Sequence, residues 1–248
     1  MKTHSVEILD PESGLFVSLT NGGSGAIMLG EDVIAAAPIP VDGLDRLKDG
    51  PLTLETQRGS LEVEIDSQGE PIEFDGSLTG SRQSRLARMT GALIDQGKSI
   101  DLDCSGVLHG RESTPDATIL RRELTIILAD GGLISASTAA PEQTLHHSEE
   151  QAVAAISHPG GYVEFEEVLI STEYDAGGRQ RRATLELWPA SDEIAALQGA
   201  GSAIAGCTAK VDGWNINTAL FRWALDGHLG LGRYEISRRN AAVPASAA

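Results

Sequence analysis

The chain has 248 residues, of which 41% are hydrophobic, enough for a sizeable core in one or two domains without disulfides or structural metals. A formal net charge of −17 excludes the basic surface that nucleic-acid binding requires, so no nucleic acid is expected as a partner. Cys104 and Cys207 stand outside any CxxC pair or metal-ligand spacing, and neither an apolar leader nor a membrane-length apolar run occurs; a reduced, cytoplasmic protein with no membrane span is expected.

In chain order, the first turn signal is Asn21-Gly22-Gly23, followed by a short helix candidate over residues 41–48. Strict alternation in Leu61-Glu62-Val63-Glu64-Ile65-Asp66 predicts a half-buried strand, bounded by Gln68-Gly69. A second strand pair is predicted on either side of Asp95-Gln96-Gly97, ending in Ile100-Asp101-Leu102-Asp103-Cys104. The polar stretch Gly110-Arg111-Glu112-Ser113-Thr114-Pro115 marks a soft boundary.

Beyond it, Asp130-Gly131-Gly132, Asp175-Ala176-Gly177-Gly178, Asp212-Gly213 and Asp226-Gly227 carry the same hairpin chemistry, because Gly and Asn tolerate the positive φ of tight turns. Ala183-Thr184-Leu185-Glu186-Leu187-Trp188 alternates as a strand. Residues 149–156 fit either a helix or a strand, and residues 191–197 a short helix capped by Ser191. The pairs Arg121-Arg122, Arg181-Arg182 and Arg238-Arg239 are expected as solvated edge positions. Seven candidate hairpins with few helical segments predict an all-β meander, and closure into barrels removes its exposed edges. About 14 or more strands exceed a single small barrel of about eight, which points to two consecutive barrels.

Two groups of residues stand out chemically. In His146-His147-Ser148-Glu149-Glu150 the titratable groups are dense, but adjacent histidines on a strand face opposite ways, so a solvated loop or a proton relay through His147 is expected and no metal site. In the last hairpin Phe221 and Trp223 share one face of a strand, and Tyr234 and Ile236 one face of its partner; they either line a cavity or fill a core. Glu235 alternates with Tyr234 and points away from that wall, toward Arg233, Arg222 or the other barrel. Buried, it would act as a general acid; exposed, it would form a salt bridge. Glu173 and Tyr174 pose the same choice at the Asp175 turn. Gly230-Leu231-Gly232 lacks the strand-to-helix context of a nucleotide loop, and neither G-x-S-x-G nor H-E-x-x-H occurs.

Three segments together resemble the two-domain lipocalin-like proteins that include carotenoid 1,2-hydratases, AttH-type proteins and fungal decalin-forming Diels–Alderases. They are Arg88-Met89-Thr90-Gly91-Ala92-Leu93-Ile94 with the hairpin to Gly106, the stretch Ser171-Thr172-Glu173-Tyr174-Asp175 through Trp188-Pro189, and Phe221-Arg222-Trp223 through Gly230-Leu231-Gly232-Arg233-Tyr234-Glu235. The likeness covers roughly residues 82–239; the first eighty residues match only in style. The resemblance implies two lipocalin-like β-barrels, over residues 1–112 and 113–240, before a flexible tail at 241–248.

It further implies a hydratase, isomerase or cyclase acting without cofactor on an apolar isoprenoid- or polyketide-like molecule in a barrel cavity. Glu235, Glu173, Asp116 and His147 are then the catalytic candidates, with Trp214, Phe221, Trp223, Tyr174, Tyr234 and Arg222 around the ligand. Relatives carry a His- and Trp-bearing loop before an Asp. Here the Trp is absent and His109 is displaced ahead of Asp116, a departure that favours a non-catalytic carrier of the same kind of ligand. An interaction module with filled barrels stays open as well, and a homodimer is allowed.

Overall fold

The computed structural model describes residues 2–20, 24–30, 32–36, 50–76, 80–112, 118–141, 150–158, 161–191 and 194–239. Its first nine strands are β1 (Lys2–Asp10), β2 (Leu15–Thr20), β3 (Ser24–Leu29), β4 (Asp32–Ala36), β5 (Gly50–Thr56), β6 (Gly59–Ser67), β7 (Ile72–Gly76), β8 (Gly80–Asp95) and β9 (Lys98–Glu112). They form one antiparallel sheet in the order β4-β3-β2-β1-β9-β8-β6-β5, with β7 also on β8. The remaining eight are β10 (Thr118–Leu128), β11 (Leu133–Pro141), β12 (Gln151–His158), β13 (Gly161–Tyr174), β14 (Gln180–Pro189), β15 (Leu197–Val211), β16 (Trp214–Leu225) and β17 (His228–Arg239). These close into a barrel, each strand paired with the next and β17 with β10.

The all-β, two-barrel-like architecture is the one expected, and no helix occurs among the described residues. Residues 41–48 lie outside the described set; residues 151–158 are strand β12, and β15 begins at Leu197, with residues 192–193 undescribed. No helix among the described residues is long and apolar enough to cross a membrane. The hairpin at Gln96-Gly97 and those at Asp212-Gly213 and Asp226-Gly227 hold both turn residues at positive φ, between 45° and 89°, the type I′ form whose twist matches the strands. Gln68-Gly69 is not a hairpin: Ser67 lies opposite Ala87 and Ile72 opposite Ser84, so β6 and β7 follow one another along the long strand β8.

The first sheet is curled, with no ladder joining β4 to β5 among the described residues. In a flat sheet β3 and β5 would lie about 29 Å apart at ~4.8 Å per strand, yet Ile27, Leu52 and Leu54 belong to one buried cluster with Val6, Ile8 and Met89. The alternation read in β6 puts Leu61, Val63 and Ile65 into that cluster and its acids outside. In the barrel, Leu124, Ile126, Leu185, Phe221, Trp223 and Tyr234 fill the lumen.

The two units pack outer face to outer face. Ile72, Phe74 and Val107 meet Leu133 and Ala155 at one apolar patch, and Leu9, Phe16 and Met28 meet Leu220 at another. Strands β1, β2 and β9 are therefore covered on both sides, which is why Leu15-Phe16-Val17-Ser18-Leu19 is a nearly unbroken apolar run rather than an alternating one.

Candidate functional site

Between these patches the strands bring polar side chains together. On β1, Val6 and Ile8 face the inside of the curled sheet, so Glu7 faces the barrel and is completely buried. On β10 and β17, Leu124 and Tyr234 face the lumen, so Glu123, Thr125, Arg233 and Glu235 face the first sheet. Glu7 Oε1 accepts hydrogen bonds from Arg233 Nε at 2.5 Å, His109 Nε2 at 2.7 Å and Thr125 Oγ1 at 3.3 Å. Its second oxygen, Oε2, has no partner among the described residues.

Arg233 also pairs with Glu235 at 3.0 Å and Glu123 at 3.3 Å, and Glu123 takes Arg82 at 3.2 Å and Arg111. Behind His109 the chain continues: Ser84 Oγ lies 2.8 Å from Nδ1 and 3.0 Å from Ser135 Oγ.

Burial alone would push the Glu7 carboxyl up, but Arg233, the hydrogen-bonding His109 and Arg82 together hold it at about 2. For His109 burial wins over the attraction of Glu7, and Arg82 and Arg233 oppose a second proton, so the ring is neutral and its pKa lies below the ordinary 6.5. The Glu7 value therefore rests chiefly on Arg233. A neutral ring with Nε2–H on the carboxylate leaves Nδ1 to accept from Ser84, and Ser135 donates to Ser84 in turn. The Ser84–His109–Glu7 geometry resembles a nucleophile–base–orienter line. Both Ser84 and Glu7 are wholly buried, however, so Ser84 offers no nucleophile to a ligand.

A cavity of about 290 Å³ opens against this network, walled by His109, Arg111, Arg121, Glu123, Trp214, Ile216 and Glu235 among others. Of the sequence-predicted residues the structure brings two to it, Glu235 and Trp214. Glu235 is ion-paired with Arg233 and accepts from Thr218 Oγ1 at 3.1 Å and Ser237 Oγ at 3.3 Å. Of the two arrangements open to Glu235, the structure holds it in an ion pair on the face turned toward the first sheet. Trp214 lies under the Arg121 guanidinium at 4.6 Å. Arg121 is thus no solvated edge residue, and its neighbour Arg122 is buried and bonded to the Ile170 carbonyl at 2.9 Å.

Two solved structures share this architecture. One is a Nitrosomonas europaea protein described as AttH, with a TM-score of 0.62 at 12% identity over 95% of this chain and 90% of that one. The other is CghA, crystallised with Sch210972, with a TM-score of 0.55 at 11% identity over 96% and 88%. The fold is that of the lipocalin-like AttH-type proteins. No family model matches the sequence, and no curated protein does.

Within this lipocalin-like fold the other candidates are dispersed. Phe221, Trp223 and Tyr234 are fully buried as lumen core, Phe221 stacking on Trp223 with ring centroids 5.4 Å apart and meeting Tyr234 edge to face at 5.5 Å. The Tyr234 hydroxyl meets Thr172 Oγ1 at 2.6 Å, and burial pushes its pKa up to about 12. Glu173 and Arg222 are exposed on the barrel exterior, away from the cavity. Tyr174 is exposed as well, its hydroxyl accepting from Arg238 at 3.2 Å. Asp116 and His147 lie outside the described residues.

No group of three metal-ligating side chains occurs among the described residues. A wider cleft of about 960 Å³ runs between residues 68–71 and strands β11–β13. There Tyr162 donates to the Glu73 carbonyl at 2.7 Å and lies 3.0 Å from Glu164, and the charged side chains on its wall, Glu70, Glu73 and Glu164 among the described residues, are exposed.

Sequence reasoning missed Glu7, Arg82, Ser84, His109 and Glu123. The signal lay in interrupted apolar runs. In Val6-Glu7-Ile8-Leu9 and Val107-Leu108-His109 a single polar residue sits in a strand apolar on both faces, which requires a buried partner.

Proposed function

We propose that this chain binds a small molecule with an apolar body in the cavity between its two units and transforms it without an organic cofactor, as a hydratase, isomerase or cyclase. The observation that carries the reading is the convergence of Trp214, the ion-paired Glu235, His109 and Arg233 on one cavity, with Glu7 buried behind the last two. At about 290 Å³ it falls just below the range of small-molecule sites, about 300–1000 Å³, and suits a ligand of modest size. Trp214 supplies apolar area. Glu235, held by Arg233, accepts a proton from the ligand and returns it to a neighbouring carbon, which conserves atoms in an isomerisation. For a cyclisation, the cavity holds a reactive conformer. The likeness to CghA, crystallised with Sch210972, is consistent with ligand binding on this fold.

One observation favours the rival reading of a carrier. Glu7, Glu123 and Glu235 are each ion-paired, and both nitrogens of His109 are engaged, so no proton donor stands free among these groups.

Native mass spectrometry of the full chain purified from its own host, followed by incubation of the released ligand with fresh protein, separates the two. A product of altered mass or retention, lost in Glu235→Gln and reduced in Trp214→Ala, supports catalysis. Ligand returned unchanged supports a carrier, and a chain that never retains a ligand refutes both.

A further inference from the structure

The cavity holds one cation that the network does not use. Arg121 makes no hydrogen bond and no ion pair among the described residues, although it is largely buried and lines the cavity wall. Its neighbours Arg111, Arg82 and Arg233 all bond to carboxylates, whereas Arg121 only stacks on the Trp214 ring at 4.6 Å. A guanidinium stacked by its face keeps its in-plane N–H groups for another partner, and that planar fork matches the two oxygens of a carboxylate. Two further guanidinium nitrogens of cavity-lining residues, Arg111 Nε and Arg82 Nη2, are likewise buried without partners. The same wall carries Glu123, Asp212 and Glu235, but Glu123 and Glu235 are already paired with Arg82, Arg111 and Arg233, which leaves Arg121 as the lining arginine without an acidic partner among the described residues.

Resting on the reading that this cavity is the ligand site, we propose that its ligand is a small organic carboxylate. The carboxylate is gripped by the in-plane fork of Arg121, and the apolar body lies against Trp214, Val211 and Ile216. Burial and the nearby Arg111 lower the Arg121 pKa to about 10 against the pull of Glu123 and Glu235, so the group stays a cation at neutral pH. Arg111 and Arg82 already serve Glu123, so they set the field around the anion, and Arg121 is the binding group.

Calorimetric titration of the full chain with three probes tests this. Benzoate has charge and body, benzyl alcohol the body alone and inorganic phosphate the charge alone. Benzoate is expected to bind saturably, at least about tenfold more tightly than either of the others. Arg121→Gln should lower benzoate affinity about tenfold while leaving benzyl alcohol unchanged, and Arg121→Lys, which keeps the charge but not the fork, should fall between. Equal binding of benzoate and benzyl alcohol, phosphate binding as tight as benzoate, no saturable benzoate binding, or an Arg121→Gln chain that folds and binds normally would each overturn the proposal. The wild-type comparison of the three probes decides even if the variant fails to fold. A neutral apolar compound recovered from the native protein would refute the carboxylate and leave the cavity reading intact, whereas a recovered carboxylate whose binding is unchanged in both Arg121→Gln and Trp214→Ala would refute the cavity as its site.

Discussion

Replacing Glu7 by Gln removes one charge from the centre of the interface while keeping shape and a hydrogen-bond acceptor. The carboxyl stands at about 2 in the folded chain against its ordinary 4.5, and at ~1.36 kcal/mol per pKa unit that difference is worth about 3 kcal/mol at neutral pH. Arg233 keeps Glu123 and Glu235 as partners in the variant, so the loss stays near or below that figure rather than reaching the ~5 kcal/mol of a fully orphaned buried charge. The sign follows from linkage: a depressed folded pKa stabilises fully above 4.5 and ceases to do so as pH falls through about 2. Urea denaturation at pH 7, 5 and 3, followed by tryptophan fluorescence, should therefore show wild type ahead of Glu7→Gln by about 2–3 kcal/mol at pH 7, with the gap closing toward pH 3. A gap below about 0.5 kcal/mol at pH 7, or one that stays constant down to pH 3, would refute the assignment of Glu7 as a buried carboxylate held by Arg233.

The neutral, buried His109 has its pKa below the ordinary 6.5, so the unfolded chain takes up a proton that the folded chain does not, and stability should fall below pH 6.5 by up to ~1.4 kcal/mol per pH unit. His109→Gln should flatten that segment, checked by denaturation at pH 7.0 and 5.5. A Cβ on Gly201 would come within 2.6 Å of the Trp223 ring, so Gly201→Ala overpacks the lumen at a cost of about 1–3 kcal/mol, readable as a lowered Tm. Phe221→Ala empties the lumen between Trp223 and Tyr234 and should cost about 3–5 kcal/mol in chemical denaturation.

The fold was legible where one face of a strand is wet. Leu61-Glu62-Val63-Glu64-Ile65-Asp66 announces β6 because its acids stay in water, and the Asp-Gly pairs at 212–213 and 226–227 announce their hairpins because only such residues take positive φ cheaply. It was less legible where both faces are covered. Alternation disappears from β2, and nothing local says that β6 and β7 share one long partner, since that depends on the length of β8. The site divides the same way. Alternation in the last strand correctly turned Glu235 away from Tyr234, but what it turned toward lies on the other sheet, and pairings such as Glu7 with Arg233, 226 positions apart, leave no short-range trace. Arg121-Arg122 misled because a charged pair on an edge strand is ordinarily solvated, and closing the barrel removed that edge.

The registers also explain why the two units must meet in this orientation. Arg82 lies opposite Arg111 across β8 and β9, and Glu123 opposite Glu235 across β10 and β17. Like charges directly opposed destabilise a sheet, so neither unit carries a neutral face alone. Docking places Arg82 and Arg111 on Glu123 and Glu7 on Arg233, and a slip of one residue in either sheet would turn these side chains to the apolar interior. A buried ion pair contributes little to stability beyond what apolar residues in its place would give, yet breaking one partner is costly. The cluster therefore acts through specificity: it rejects misaligned dockings that the surrounding apolar patches, being non-directional, would accept. That alignment is also what forms the small cavity, because its walls come from both units, Thr3, Ser5 and Arg111 from one and Arg121, Trp214 and Glu235 from the other.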